Sequence, residues 1–371
     1  MELHLDCRYF VGEKPCRFNR LCGGCPHYEP FGRRILIIKL AALGDVLRTT
    51  PLLPALRKLD ASAQITWVTD EAALDLLRHN PAIDRLLGWN LETVLRLEVE
   101  HFDWLICLDK EVRATALAAK IRAARKSGFG LHPSGNIAPL HPESDELFSL
   151  GMSDDIKFRR NERTYQALTF EALGLTFAGE PLMLTLPQEV ARWAEEKWLS
   201  WGLEAETRCI GINTGGGELF ANKSLPASAL VELIEILSRR LVGMKSAILL
   251  LGGALERDKN RDILRAVSAP VIDAGTGNSL LEFAALLGRC HTVLTSDSLG
   301  MHLAVALQRR VVVLFGPTCE QEIELYGRGS KIVAGIACSP CYRRTCDKTI
   351  TCMNTLSLEE IVEKLLREVT R

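Results

Sequence analysis

No stretch of this chain approaches the ~18 consecutive apolar residues that a membrane-crossing helix needs. Its longest apolar runs, Ala247-Ile-Leu-Leu-Leu251 and Val311-Val-Val-Leu-Phe315, have the length of buried strands. A surplus of either charge is also missing. Lys and Arg total 45 and Asp and Glu total 46, a formal net charge of −1. A protein whose main task is to coat nucleic acid carries a basic surplus, so no nucleic-acid partner is expected. The opening residues Met-Glu-Leu-His lack a basic segment followed by an apolar one, so no signal peptide is expected. Hydrophobic residues make up 47% and charged residues 25%, a composition that excludes long disorder. These absences point to a cytoplasmic chain. There its 12 cysteines are more often metal ligands or free thiols than disulfides.

What is present is enough chain for two domains: 371 residues, at about 100–200 per domain, with an ample core. Apolar strands alternate with helical patterns twice. In the first half, Arg34-Ile-Leu-Ile-Ile38 reads as a buried strand. Helices are expected over about Asp45 to Leu59, Glu71 to His79, Glu111 to Ala124 and Arg163 to Leu173, and strands over Gln64 to Val68 and Trp104 to Leu108. The stretch from Gly128 to Asp155, with two His-Pro pairs, reads as an irregular loop. Pro181 and Pro187 flank a linker. The alternation then restarts, with strands expected at Cys209 to Asn213, Ser246 to Leu251, Thr292 to Thr295 and Val311 to Phe315. Two doubly wound α/β units are therefore expected, facing across a cleft, with ligands at the carboxyl ends of the strands. The boundaries place a Cys-rich head at 1–32, one unit at 33–185 and the other at 186–371.

Four short constellations carry chemistry. Lys39 ends the first strand, and Gly44-Asp45 opens a helix. Asp45 reads either as a plain N-cap or as a base at the lip of the cleft. Asn213-Thr214-Gly215-Gly216-Gly217 follows a strand directly. It is either an ordinary turn or a cradle whose backbone N–H groups approach a phosphate. It is neither Gly-x-Gly-x-x-Gly nor a Walker loop. Lys223 follows within reach of the same ligand. Thr295-Ser-Asp297-Ser298-Leu-Gly300-Met-His302 sets small polar residues at a helix start, the setting of an anion site. There Asp297 would orient the loop or hold a ribose hydroxyl, while a lone His302 is commonly a structural hydrogen-bonder. The next strand ends in Gly316-Pro-Thr318.

The ordered set Ile38-Lys-x4-Gly44-Asp45-Val-Leu-x-Thr-x-Pro51, Asn-Thr-Gly-Gly-Gly217, Asn-Lys-Ser-Leu-Pro226 and Thr-Ser-Asp-Ser-x3-His302-Leu-Ala304, with Phe-Gly-Pro-Thr318, resembles glycosyltransferase family 9. That is the ADP-heptose:lipopolysaccharide heptosyltransferase family, and the likeness runs from about residue 34 to the C-terminus. The resemblance implies a GT-B fold and metal-independent, inverting transfer from a nucleoside-diphosphate sugar, ADP-heptose in the family, to a glycan or lipid-linked acceptor. It implies that Asp45 is the catalytic base and that Lys223 contacts the donor phosphate. Asp297, Ser298 and His302 match the donor-binding loop. Leu299 stands where many members have Gly. Peripheral contact with the inner face of the cytoplasmic membrane is expected from such an acceptor. One base suffices for a single displacement, and cations with N–H donors stabilise the leaving diphosphate. The second reading, from another class, is an idle sugar-nucleotide-binding or iron–sulfur redox-sensing module on the same scaffold. Asp45 and Lys223 together favour the enzyme.

Four features lie beside this core. The head carries Cys7, Cys16, Cys22 and Cys25. Four thiols so close suggest a closed structural site for Zn or an iron–sulfur cluster, with an unmetallated head as the alternative. The tail carries Cys338, Cys341, Cys346 and Cys352, open to a second metal, to disulfides or to joining the head. Cys107, Cys209, Cys290 and Cys319 are expected as small buried hydrophobes. Between Lys110 and His132, six cations (Lys110, Arg113, Lys120, Arg122, Arg125, Lys126) meet one acid, Glu111. They form either a solvated helix face or a docking surface for an anionic acceptor.

Overall fold

A computed structural model of the chain describes residues 1–217 and 221–371. The chain divides into two units, one of residues 1–42, 49–149 and 168–180 and one of residues 43–48, 150–167 and 181–371. The first unit holds a six-stranded sheet: β1 (Arg34–Ile38), β2 (Gln64–Thr69), β3 (Arg85–Gly88), β4 (His101–Cys107), β5 (Arg122–Leu131) and β6 (Ile137–Pro139), in the order β3-β2-β1-β4-β5-β6. Its neighbours are parallel except β5 and β6. The second holds β7 (Arg208–Asn213), β8 (Ser246–Leu251), β9 (Ile272–Asp273), β10 (Thr292–Ser296), β11 (Arg310–Phe315) and β12 (Gly329–Val333), in the order β12-β11-β10-β7-β8-β9 and parallel throughout.

These elements follow from burial. Parallel strands are covered on both faces, so β1 and β11 are near-continuous apolar runs with one residue each short of full burial. In the second unit, Ile210, Ile212, Ile248, Leu250, Leu294 and Val312 share one face. They pack against Leu230, Leu233 and Leu237 of the helix Ala227–Arg240 and Ile361 and Leu365 of the helix Leu358–Val369. In the first unit, Leu36, Ile38, Leu105 and Cys107 meet Ala114, Leu117 and Ala118 of the helix Val112–Lys120. The polar loops at the carboxyl ends of the strands are thereby held on a rigid platform.

Several sequence expectations are corrected. The single helix expected from Asp45 to Leu59 is two, Leu43–Thr49 and Leu52–Leu59. Pro51 lacks the N–H that would carry one helix through. The helix expected over Glu111 to Ala124 ends at Lys120, where Ile121 is already extended. The Ala-rich stretch after it reads as helix but becomes β5, because pairing along β4 overrides a weak local preference. The expected irregular loop from Gly128 contains the end of β5, β6 and the helix Asp145–Ser149. β12 has no counterpart in the sequence reading, since only Ile332 in it is fully buried.

In the head, a bridge joins Cys7 to Pro30, Tyr28 donates to Asp6 at 2.6 Å, and Phe18 stacks on His27 at 3.9 Å. Cys7, Cys16, Cys22 and Cys25 line one cavity of about 160 Å³. Among the described residues, no group of three or more His, Cys, Asp or Glu is arranged to hold a metal ion. The expected metal-binding extension is thus not shown; aromatic and polar contacts close the head. Cys107, Cys209, Cys290 and Cys319 are buried, as expected. No helix among the described residues is long and apolar enough to cross a membrane.

Candidate active site

The loop after β7 is built on Asn213. Its Nδ2 donates to Thr295 Oγ1 at 3.0 Å and Ser298 Oγ at 3.3 Å, and its Oδ1 accepts from the Gly215 N–H. Gly300 makes this possible: a Cβ there would stand 2.5 Å from Asn213 Nδ2. Ser296 Oγ donates to the Gly215 carbonyl at 3.2 Å, joining the ends of β7 and β10. Thr214 is buried, with its hydroxyl 2.6 Å from Asn260 Oδ1. Gly216 follows, half-buried.

Asp297 lies just past β10 and accepts from Lys223 Nζ at 3.3 Å through Oδ2 and at 3.1 Å through its carbonyl. Burial pushes the Asp297 carboxyl up, but Lys223 and then His302 outweigh it and hold it below the usual carboxylate range. Ser298 is the N-cap position of the helix Leu299–Ala306, and His302 lies buried on its first turns. Burial, then Arg48, push the His302 imidazole down to about 4 against the opposing pull of Asp297 and Asp45, so it is neutral at neutral pH. Thr318 is buried beyond β11, and its hydroxyl also helps to hold the Asp297 carboxyl down.

Asp45 belongs to this same unit, because residues 43–48 do. A Cβ at Gly44 would stand 2.8 Å from the His302 ring, so the absence of a side chain seats Gly44-Asp45 on that histidine. Arg48, one helical turn on, pairs with Asp45 at 2.9 Å and lies 3.8 Å above the Tyr165 ring. Burial opposes the Arg48 charge, but Asp45, Tyr165 and Glu322 outweigh it and raise its pKa. Glu322 is buried, which pushes its carboxyl up, while Lys157 at 3.8 Å and Arg48 pull it down. Lys157 also lies 4.0 Å above Tyr342.

The second unit therefore gathers Asp45, Lys223, Asp297 and His302 into one electrostatic neighbourhood, with Thr214, Gly215, Gly216, Ser298, Gly300 and Thr318 in the loops around the same strand ends. Sequence reading missed Arg48, Tyr165, Glu322 and Lys259. Only Arg48 left a signal, the Asp-x-x-Arg spacing that puts both side chains on one helix face. Lys39 lies in the first unit, buried against Asp109 at 3.4 Å. Of the six cations between Lys110 and His132, Arg113, Lys120 and Arg125 pair with acids, and Lys110, Arg122 and Lys126 donate to backbone carbonyls. A strong free anion-binding surface does not follow from them.

Two six-stranded sheets, parallel but for the β5–β6 pair, the second with a lysine–aspartate pair and a glycine loop at its carboxyl edge, define an α/β protein of the two-sheet class. The sequence model of glycosyltransferase family 9 (heptosyltransferase) matches residues 93–350. The chain belongs to that family and is a glycosyltransferase. It is 23% identical over 352 residues to lipopolysaccharide heptosyltransferase 1 of Campylobacter coli, covering 91% of this chain and 98% of that one. Its fold is similar to a family 9 glycosyl transferase from Veillonella parvula DSM 2008, with a TM-score of 0.74, 22% identity and 92% and 98% of the two chains covered. It is also similar to the E. coli ADP-heptose lps heptosyltransferase II, with a TM-score of 0.62, 19% identity and 90% and 99% covered.

Proposed function

We propose that this glycosyltransferase moves a heptose from ADP-heptose, with inversion, to a hydroxyl of a lipopolysaccharide-type glycan. The names of its relatives support the donor and acceptor classes. The observation that carries the reading is the seating of Gly44-Asp45 on His302, beside the Lys223–Asp297 pair. Asp45 takes the proton of the acceptor hydroxyl as that oxygen attacks the anomeric carbon. The bond to the departing diphosphate breaks in the same step. Lys223, the N–H groups of the 213–217 loop and the start of the helix Leu299–Ala306 stabilise the charge that leaves. His302, neutral, lines the acid without adding a competing cation. Arg48 holds Asp45 in place.

In this reading residues 186–371 bind the donor and residues 33–185 serve the acceptor. A lipid-linked acceptor brings the protein to the cytoplasmic face of the membrane. The four head thiols hold a structural Zn or iron–sulfur cluster, which their shared cavity supports. Elemental analysis of protein prepared anaerobically under reducing conditions finds that metal, and substituting Cys22 and Cys25 lowers it. Metal-free protein with four titratable thiols defeats this part.

The main reading is tested with ADP-heptose and a heptose-free lipopolysaccharide core. Mass spectrometry should show the acceptor gaining one heptose, with ADP released. ADP should raise the thermal midpoint more than UDP, GDP or dTDP. An unchanged acceptor together with no ADP effect overturns it.

A further inference from the structure

We infer that Lys259 is a positioning residue that clamps the two donor loops together and thereby sets Lys223; this rests on the donor-site reading above. Lys259 lies on the helix Arg257–Ala266. Its Nζ donates to the Thr214 carbonyl at 3.1 Å, Ser224 Oγ at 3.0 Å and the Leu225 carbonyl at 2.7 Å. An ammonium has three donors, and all three are used. The acceptors come from two separate segments. Thr214 precedes Gly215 in the loop after β7, while Ser224 and Leu225 follow Lys223 directly. The next residue of the helix, Asn260, accepts from the Thr214 hydroxyl at 2.6 Å, so one helical turn grips Thr214 by backbone and side chain.

The chemistry argues that the charge has a use. A methionine of similar length fills the same space without desolvating a cation. What the ammonium adds is three directed bonds to oxygen atoms, and hydrogen bonds from a charged donor are the stronger kind. Burial makes the charge costly and pushes the Lys259 ammonium down to about 8, with Glu256, at the N-cap of this helix, pulling the other way. The loops it grips offer hydroxyl and carbonyl oxygens, and Lys223 between them is directed to Asp297. Thr351 and Asn354, which share a cavity with Lys259, carry no charge. As pH rises through about 8 the neutral amine keeps two donors, and one tether is lost.

The test measures ADP affinity by calorimetry, and donor KM and kcat, for the wild type, Lys259→Met and Lys223→Ala from pH 7 to about 9.5. Lys259→Met should weaken ADP about tenfold and raise donor KM by a similar factor, with kcat within about twofold. Wild-type affinity should fall through about pH 8, and Lys259→Met should lack that step. A merely structural lysine moves neither the step nor the ratio of KM to kcat. Wild-type affinity and an unchanged pH profile in Lys259→Met overturn the clamp, provided Lys223→Ala weakens ADP in the same assay. If Lys223→Ala also binds ADP normally, the donor-site reading fails and takes the clamp with it. Should Lys259→Met not fold, the wild-type titration decides alone, and a flat affinity through pH 8 sinks the proposal.

Discussion

Lys39 and Asp109 stand just beyond the ends of β1 and β4 in the first unit; Asp297 stands just beyond β10 in the second, with Lys223 on it. The Nζ–Oδ2 separations are nearly equal, 3.4 and 3.3 Å. Their surroundings differ. The side chains of the first pair are 6% and 6% exposed, and Asp109 also accepts backbone N–H bonds from Leu40, Ala41 and Glu111. The second pair is 13% and 16% exposed and lies near Arg48 and His302. A lysine–aspartate pair at a strand end is thus not itself a site. Tied into backbone and sealed, it fixes a loop; left partly open among other titratable groups, it is the pair proposed above to meet the diphosphate.

The sharpest test of that contrast is Asp45, the acid of the second neighbourhood. Asp45→Ala should lower turnover by ~10²-fold or more with ADP affinity unchanged, since a base acts in the transition state. Steady-state kinetics and calorimetry on one preparation check both halves, and near-normal turnover removes Asp45 from the role. Next is Asp109→Ala, which removes the carboxylate beside the buried Lys39 charge and the acceptor of the Leu40, Ala41 and Glu111 N–H groups. It should cost ~3–5 kcal/mol in urea unfolding. A loss of turnover in the still-folded variant larger than this stability loss explains would place Lys39 and Asp109 with the chemistry instead. Smaller again is Lys223→Ala, which should weaken ADP by ~1.5–3 kcal/mol while the unfolding midpoint barely moves. Equal stability losses for Asp109→Ala and Lys223→Ala would erase the difference between the pairs.

The same contrast explains what was legible in the sequence. Strands such as Val311 to Phe315 are legible because burial on both faces leaves a continuous apolar run. β5 is not, because Arg122, Arg125 and Lys126 on it look like a solvated helix face. The structure settles them individually: Arg125 reaches Glu143, and Lys126 reaches the Ala118 carbonyl. In the site, Asp45, Lys223 and Asp297 each sit in a short motif, with Gly44 beside Asp45 and Gly300 in the loop of Asp297. Glu322 and Lys259 sit in no motif. In sequence they resemble solvated charges, and only tertiary burial makes them a raised carboxyl and a depressed ammonium. Lys39 is the reverse case: a motif position whose side chain is buried against Asp109 in the first unit.

His302 gives the smallest effect and the one whose sign needs care. Its folded-state pKa is about 4, below the ordinary 6.5. Between those values the unfolded chain binds a proton that the folded chain refuses. Its contribution is therefore fully present above pH 6.5 and is lost as pH falls toward 4. The bare shift sets a ceiling near 3 kcal/mol, and relaxation around the ring leaves about 1–2 kcal/mol. Two neighbours titrate with opposite signs. Asp297, held below the ordinary carboxylate range, loses its contribution only at more acid pH, whereas Glu322, held high, contributes at low pH and loses that as pH rises. The wild-type slope mixes His302 with Glu322, so the measurement is a difference. Urea unfolding of wild type and His302→Gln, taken at steps from pH 7 to 4.5, should show the gap between them narrowing as the acid side is reached. A gap for His302→Gln that stays constant across the range would mean that the imidazole is not held neutral, and the second neighbourhood would carry one more cation beside Asp45 than the geometry assigns.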